Sequence, residues 1–232
     1  MTGILYGVGV GPGDPELLTI QAVRTICEAD IIFIPKKQKE NCRAYQIALQ
    51  AVPELAEKET VGFDFPMVRD AEKLRTAHRE IWQSIKEILS SGKSAAFLTI
   101  GDPLVYSTFA PILEQAKADK MEYRVISGVP SFIAAAAVCG VPLTTGNKPI
   151  QVLSGQEDVY KEIKKPGTKI LMKCGHNILM LKTMLSMIEQ SHPVEILAVK
   201  DCGMPEQEIY YGADAIPEDD SYMLTVIIRD KN

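Results

Sequence analysis

Three glycine-bearing loops carry the residues best suited to holding a small ligand. The first, Gly7-Val8-Gly9-Val10-Gly11-Pro12-Gly13-Asp14, invites a dinucleotide-binding reading, which needs Gly-x-Gly-x-x-Gly opening a helix. The spacing fails, because the last position is Pro12 counted from Gly7, Asp14 counted from Gly9 and Glu16 counted from Gly11. Acids at a helix entrance also repel the pyrophosphate that a helix N-terminus attracts. What remains is a loop whose glycines allow close backbone approach and whose acid tolerates a ligand without phosphate, or else a plain strand-to-helix turn. The second loop, Gly101-Asp102-Pro103, follows an apolar run and belongs at the carboxyl end of a strand, where open α/β sheets place ligands. Asp102 accepts hydrogen bonds, Pro103 fixes the chain, and Tyr106-Ser107-Thr108 put hydroxyls where helix capping is the alternative use. The third, Ser127-Gly128-Val129-Pro130-Ser131, again joins strand to helix through glycine. Three such loops, each at a strand end, predict one convergent site.

The common catalytic motifs are missing. The chain has no Gly-x-Ser-x-Gly elbow, no Gly-x-x-x-x-Gly-Lys phosphate loop, no His-Glu-x-x-His and no calcium loop. His78 falls in the apolar stripe of a helix and reads as core. His176, in Cys174-Gly175-His176-Asn177, follows a strand and reads as a site-lining candidate beside the same bland alternative. His192, beside Pro193, reads as loop. Cys27, Cys42, Cys139, Cys174 and Cys202 form no Cys-x-x-Cys pair, which predicts reduced, mostly buried thiols and no thiolate metal site. Met180, Met184 and Met187 read as core filler on a helix.

The elements that must position these residues follow from periodicity and punctuation. Strands are predicted at Gly3–Val10, Ile31–Ile34, Ser94–Thr99 and Tyr123–Ile126, with a helix after the first loop capped by Asp14 or Thr19. A long helix at Ala71–Ser90 carries Leu74, His78, Ile81, Trp82, Ile85, Ile88 and Leu89 on one stripe, and Phe109–Ala118 forms another. This alternation implies a parallel sheet covered on both faces. After an alanine-rich helix at Ser131–Cys139, strands are predicted at Ile150–Leu153, Thr168–Met172, Glu195–Val199, Glu208–Tyr211 and Met223–Ile228, with helices at Glu157–Lys164 and Ile178–Gln190. The last two strands follow without a helix, so this second sheet should be mixed or antiparallel at one side. The predicted organisation is two α/β lobes, 1–127 and 128–232.

Composition narrows the function class. The chain has 232 residues, 46% apolar and 24% charged, with net charge −5. This is the ordinary globular mix. No apolar stretch approaches the roughly 20 residues that span a bilayer, and Asp14 and Glu16 sit where a signal peptide avoids acids, so a cytoplasmic protein without membrane contact is expected. Arg229 is the only arginine after residue 127, which argues against a phosphate-tracking nucleic-acid surface.

Taken in order, Gly7 to Asp14 with Leu17-Leu18-Thr19, Gly101-Asp102-Pro103, Gly128-Val129-Pro130-Ser131-Phe132 and Leu171-Met172-Lys173 resemble the tetrapyrrole methylases, over nearly the whole chain. Within that family, Tyr106-Ser107-Thr108-Phe109 and Ser131 to Ala136 are most similar to the branch that methylates meso carbon 20 of precorrin-2 or cobalt-factor II. The resemblance implies two α/β lobes with the active-site cleft between them, S-adenosyl-L-methionine as methyl donor, a tetrapyrrole substrate and a homodimer. Carried over position by position, it places cofactor contacts at Pro12, Ile100, Gly101, Asp102, Val105, Pro130, Ser131, Met172 and Gly203. Pro130 stands where relatives commonly carry a hydroxyl, so a polar contact there falls to Ser131 or the backbone. A sulfonium methyl is already activated, which explains the missing nucleophiles and leaves positioning as the main catalytic task. A general base is named by nothing better than Tyr106 or His176. The substrate's carboxylates need cations, and Lys36, Lys37 and Arg43 are the candidates, ahead of Lys148 and Lys173, with solvated surface charge as the alternative. A sister methylase acting on another ring carbon, or a ligand-binding protein that kept the site without the chemistry, are the competing readings.

Overall fold

The computed structural model describes residues 3–66, 68, 70–154, 159–162, 165–174, 178–218 and 223–231. The chain divides into two compact units, Met1–Pro130 and Ser131–Asn232.

The first unit runs β1 (Leu5–Gly9), α1 (Ile20–Glu28), β2 (Ile31–Ile34), α2 (Arg43–Ala51), β3 (Glu59–Gly62), α3 (Ala71–Ser90), β4 (Ala95–Thr99), α4 (Ala110–Ala118) and β5 (Tyr123–Ile126). Its five strands are all parallel, in the order β3-β2-β4-β1-β5. Side-chain alternation explains why both faces are covered. Leu5, Ile31, Phe33, Ala95 and Phe97 point to one face and meet Trp82, Ile85 and Leu89 of α3 and Ile112 and Ala116 of α4. Val8, Ile32, Ile34, Ala96 and Leu98 have the opposite parity and are also buried, with Ala22 and Ile26 of α1 and Tyr45 and Ala48 of α2 buried beside them. Parallel strands put every carboxyl end on one edge, and that edge carries all three glycine loops.

Local chemistry sets the helix starts. Asp14 and Thr19 are both caps: Asp14 accepts from Glu16 N at 2.8 Å and starts a short 3-10 turn, and Thr19 accepts from Ala22 N at 3.1 Å and starts α1. Asp70 caps α3 by accepting from Glu72 N and Lys73 N, and α3 has the bounds its periodicity predicts.

The second unit runs α5 (Ser131–Val138), β6 (Ile150–Ser154), α6 (Val159–Glu162), β7 (Thr168–Met172), α7 (Ile178–Ser191), β8 (Val194–Lys200), β9 (Glu208–Tyr211) and β10 (Leu224–Asp230). The sheet is mixed, in the order β6-β7-β10-β8-β9: β6 and β7 are parallel, while β10 is antiparallel to both β7 and β8. Leu171, Val226, Ile196 and Ala198 meet Leu181, Leu185 and Ile188 of α7 to make its core.

Two expectations are corrected. The elements α2 and β3 lie where no regular structure was predicted. Of the three α7 methionines only Met184 packs on the core; Met180 and Met187 are exposed, along with Leu179. The cysteines are mostly buried, as expected: Cys42, Cys174 and Cys202 are buried and Cys139 half-buried, while Cys27, on the outer side of α1, is exposed. Among the described residues no helix is long and apolar enough to cross a membrane.

Candidate functional site

The three glycine loops meet backbone to backbone. Gly11 and Gly101 form an isolated antiparallel bridge, with Gly101 N donating to Gly11 O at 2.8 Å. Both glycines have positive φ, 74° and 71°, which L side chains rarely adopt. A Cβ on Gly9 would lie 2.5 Å from Gly101 O and 2.6 Å from Gly128 N, and one on Gly128 would lie 2.2 Å from Gly101 O. Glycine here is therefore a requirement of packing between loops. Gly7 has a different task, since the space its missing Cβ leaves is filled by the ring of Phe109 at the head of α4.

Side chains then lock the loops together. Asp102 Oδ2 accepts from Gly128 N at 3.1 Å and its Oδ1 from Leu104 N at 2.8 Å, so one carboxylate ties the second loop to the third. Thr19 Oγ1 donates to Ser127 O at 3.4 Å, linking the end of the first loop to the third. Ser107 Oγ accepts from Phe109 N and shares a hydrogen bond with Thr99 Oγ1, both at 3.0 Å, which fixes the run between Pro103 and α4. Of the predicted cofactor contacts, the structure thus brings Gly101 and Asp102 into this knot and puts buried Pro12 and half-buried Ile100 and Val105 beside them in sequence.

The second unit gathers Ser131, Met172 and Gly203 at one edge of its own sheet, and Pro130 closes the first unit just before Ser131. Ser131 Oγ and Thr225 Oγ1 are 3.3 Å apart, Thr225 is opposite Met172 on one side and Val199 on the other, and Asp201 N donates to Met223 O. Ser131, Met172 and Gly203 therefore share the edge where β7 and β8 end. Thr225 was not anticipated from the sequence; the signal is a lone polar residue inside Leu224-Thr225-Val226-Ile227-Ile228, buried in the structure.

Backbone strain concentrates in the same places. Among the described residues, four that are not glycine have positive φ: Tyr106 (47°), Lys120 (54°), Lys173 (56°) and Asp201 (47°). Lys120 is an ordinary helix ending, with Met121 N donating to Ala116 O after α4. The other three follow β4, β7 and β8 within a few residues of the candidate contacts. Each conformation costs on the order of 1–3 kcal/mol and persists only where surroundings impose it, as functional sites often do.

The chemistry of these loops suits a ligand without phosphate. No lysine or arginine occurs in residues 1–23, 94–116 or 125–147, the stretches containing all three loops, whereas Asp14 and Asp102 do occur there. Such a donor set favours a cationic or neutral ligand over a pyrophosphate. Cys174 and Cys202 contribute no thiolate: burial pushes Cys174 up to about 12 and Cys202 up to about 11, so both stay protonated near neutral pH.

Lys36 and Lys37 follow the carboxyl end of β2, the strand next to β4, and Arg43 opens α2; all three are exposed. The Lys37 ammonium is 3.6 Å from Asp64. Lys148 is a correction. It pairs with Asp230 at 3.8 Å, and Asp230 lies opposite Val194, at the far edge of the sheet from Met172 and Gly203. Lys173 directly follows Met172 and stays with the site. His176 lies outside the described residues. His78 is half-buried against Phe65, ring centroids 5.8 Å apart, and burial holds its imidazole below the usual range.

The protein called "Probable cobalt-precorrin-2 C(20)-methyltransferase" of Methanocaldococcus jannaschii is 32% identical over 97% of this chain and 95% of its own length. The cobalt-precorrin-2 C(20)-methyltransferase of Salmonella typhimurium is 27% identical over 80% of this chain and 79% of its own. Among solved structures, the uroporphyrin-III C-methyltransferase of Thermus thermophilus complexed with S-adenosylhomocysteine shares the fold, with a TM-score of 0.69 at 20% identity over 98% of this chain and 97% of that one. The sequence model of the tetrapyrrole (corrin/porphyrin) methylases matches residues 4–213, which include every loop described above. The chain belongs to the tetrapyrrole (corrin/porphyrin) methylase family.

Proposed function

We propose that this chain transfers a methyl group from S-adenosyl-L-methionine to meso carbon 20 of precorrin-2 or cobalt-factor II, a step of cobalamin synthesis. The observation that carries the reading is the 32% identity over nearly full length to a relative named for that reaction, joined to three cation-free loops locked into one knot. The name of a Methanosarcina barkeri relative, 32% identical over 77% of this chain and 66% of its own length, states S-adenosyl-L-methionine dependence, which supports the donor.

In the first unit the proposed cofactor contacts are Pro12, Ile100, Gly101, Asp102 and Val105; in and beside the second they are Pro130, Ser131, Met172 and Gly203. The donor set fits such a ligand, because a sulfonium and an ammonium are cations and the loops supply carboxylate and backbone oxygens with no competing lysine. When bound, the donor would supply a methyl: π electrons of the ring would form the new carbon–carbon bond, the carbon–sulfur electron pair would pass to sulfur, and the proton on the methylated carbon would leave to solvent. The chain's own task is orientation, which in good geometry lowers a barrier by roughly 7–11 kcal/mol. The rigid loop knot is suited to it.

The deciding experiment is incubation with S-adenosyl-L-methionine and precorrin-2 or cobalt-factor II, followed by mass spectrometry and NMR. One added methyl at carbon 20 is the expected product. Methylation of another carbon assigns the chain to a sister reaction, and binding without product assigns it to ligand capture.

Lys36, Lys37 and Arg43 are proposed to receive substrate carboxylates. The double variant Lys36→Ala/Lys37→Ala is expected to raise KM for the tetrapyrrole about tenfold, through two lost charge-assisted contacts, with the S-adenosyl-L-methionine affinity unchanged. Unaltered tetrapyrrole kinetics would remove both lysines from the site. The chain is also proposed to work as a homodimer, a reading supported by the exposed apolar residues Leu179, Met180 and Met187 on α7. Sedimentation equilibrium checks it, and a monomer at assay concentration contradicts it.

A further inference from the structure

The loop between Gly101 and α4 holds a feature that cofactor binding leaves unexplained. Tyr106 adopts φ 47°, a conformation glycine reaches without strain and an aromatic residue rarely takes. The loop around it cannot relax, because Leu104 N is held by Asp102 Oδ1, Ser107 Oγ by Thr99 and Phe109 N, and Phe109 is buried with its ring against Gly7. Tyr106 nevertheless remains 39% exposed, and Leu104 two residues earlier is 58% exposed. Two large side chains thus remain partly exposed on a pinned loop, one of them at a conformational cost.

Their neighbours indicate the occupant. This loop follows β4, and the strand beside β4 is β2, whose end carries Lys36 and Lys37. An aromatic and aliphatic surface on the same strand-end edge that carries these exposed ammonium groups matches a flat apolar ring fringed with carboxylates. We propose that Tyr106, together with Leu104, forms the face on which the tetrapyrrole macrocycle lies, so that Tyr106 is a positioning residue acting through its ring. The inference rests on the tetrapyrrole substrate proposed above but not on which carbon is methylated. It also gives Tyr106 a task other than that of a general base.

The test uses Tyr106→Gly and Tyr106→Phe in the full chain, with uroporphyrin III as an octacarboxylate macrocycle whose fluorescence reports binding without any methyl transfer. Tyr106→Gly is expected to melt no lower than wild type, because glycine accepts the local φ, and to keep its S-adenosyl-L-methionine affinity. Its uroporphyrin affinity is expected to fall about tenfold, and Tyr106→Phe to restore it within about twofold, since the ring is retained. Wild-type uroporphyrin affinity in Tyr106→Gly overturns the proposal, as does absence of binding by the wild type. A Tyr106→Phe variant that binds normally but loses methylation with an altered pH profile overturns the ring assignment in favour of the hydroxyl. Failure of the methylation assay with intact, Tyr106-dependent uroporphyrin binding would instead count against the proposed reaction and leave this surface standing.

Discussion

Gly128→Ala is expected to abolish S-adenosyl-L-methionine binding and to cost about 1–3 kcal/mol of stability, the usual range for overpacking a tight site. The new methyl would sit 2.2 Å from Gly101 O and 2.8 Å from Gly9 Cα. Both neighbours are backbone, so no rotamer change makes room. The loops must part, and parting them breaks the knot that holds the proposed cofactor contacts at Gly101 and Asp102. A suitable control is Gly140→Ala: Gly140, unlike Gly128, has positive φ, 67°, and a Cβ there meets nothing within 4 Å. That variant should lose about 1 kcal/mol from backbone strain alone and bind the cofactor normally. Thermal melts with calorimetric titration of both proteins decide the matter. Undiminished cofactor affinity in Gly128→Ala would mean that loop contact is unrelated to binding.

The second large effect falls on Asp102. Its two oxygens serve two loops, accepting from Leu104 N and Gly128 N. Asp102→Ala strands both donors, and Gly128 is buried, so an unmet donor there costs about 1–3 kcal/mol. Asp102→Asn keeps one acceptor but turns an amide N–H toward the other donor. Stability and cofactor affinity are therefore both expected to fall in the order wild type, Asn, Ala, with Ala binding at least about tenfold more weakly. A variant that melts like wild type yet fails to bind would show that Asp102 touches the ligand without latching the loops.

Much of this was legible in the residues, and the misses have physical reasons. Long α3 was readable because its stripe repeats over many turns; the Asp70 cap emerged only in the structure. Both proposed caps near the first loop are used, since a 3-10 turn intervenes between Asp14 and Thr19. In contrast, β3 is a four-residue edge strand, Glu-Thr-Val-Gly, paired on one side only, so no apolar run announces it. Helix α2 starts at Cys42 without a side-chain cap, which removes the usual start signal, although Ala44, Tyr45, Ile47 and Ala48 do form a buried stripe. Met180 and Met187 misled because methionine is common in cores and their exposure depends on which way α7 is turned over its sheet. At the site, the glycine loops were visible as motifs, but the bond from Asp102 to Gly128 joins residues far apart in sequence. No local spacing encodes it. Nor does any spacing encode the positive φ at Tyr106 and Asp201, which only the surrounding packing imposes.

The position of β10 has a consequence for how the chain is made. In the first unit all five strands have left the ribosome once Ile126 has, and the sheet can close early. The second sheet lacks its middle until Leu224–Asp230 arrives, because β10 pairs with β7 on one side and β8 on the other. Until then β7 and β8 both present raw edges of unpaired amides and carbonyls, the kind of surface that recruits other nascent chains. Ribosomes stalled shortly before Leu224 would therefore carry one finished unit and one adhesive one, and the demand for chaperones should peak over that interval of synthesis.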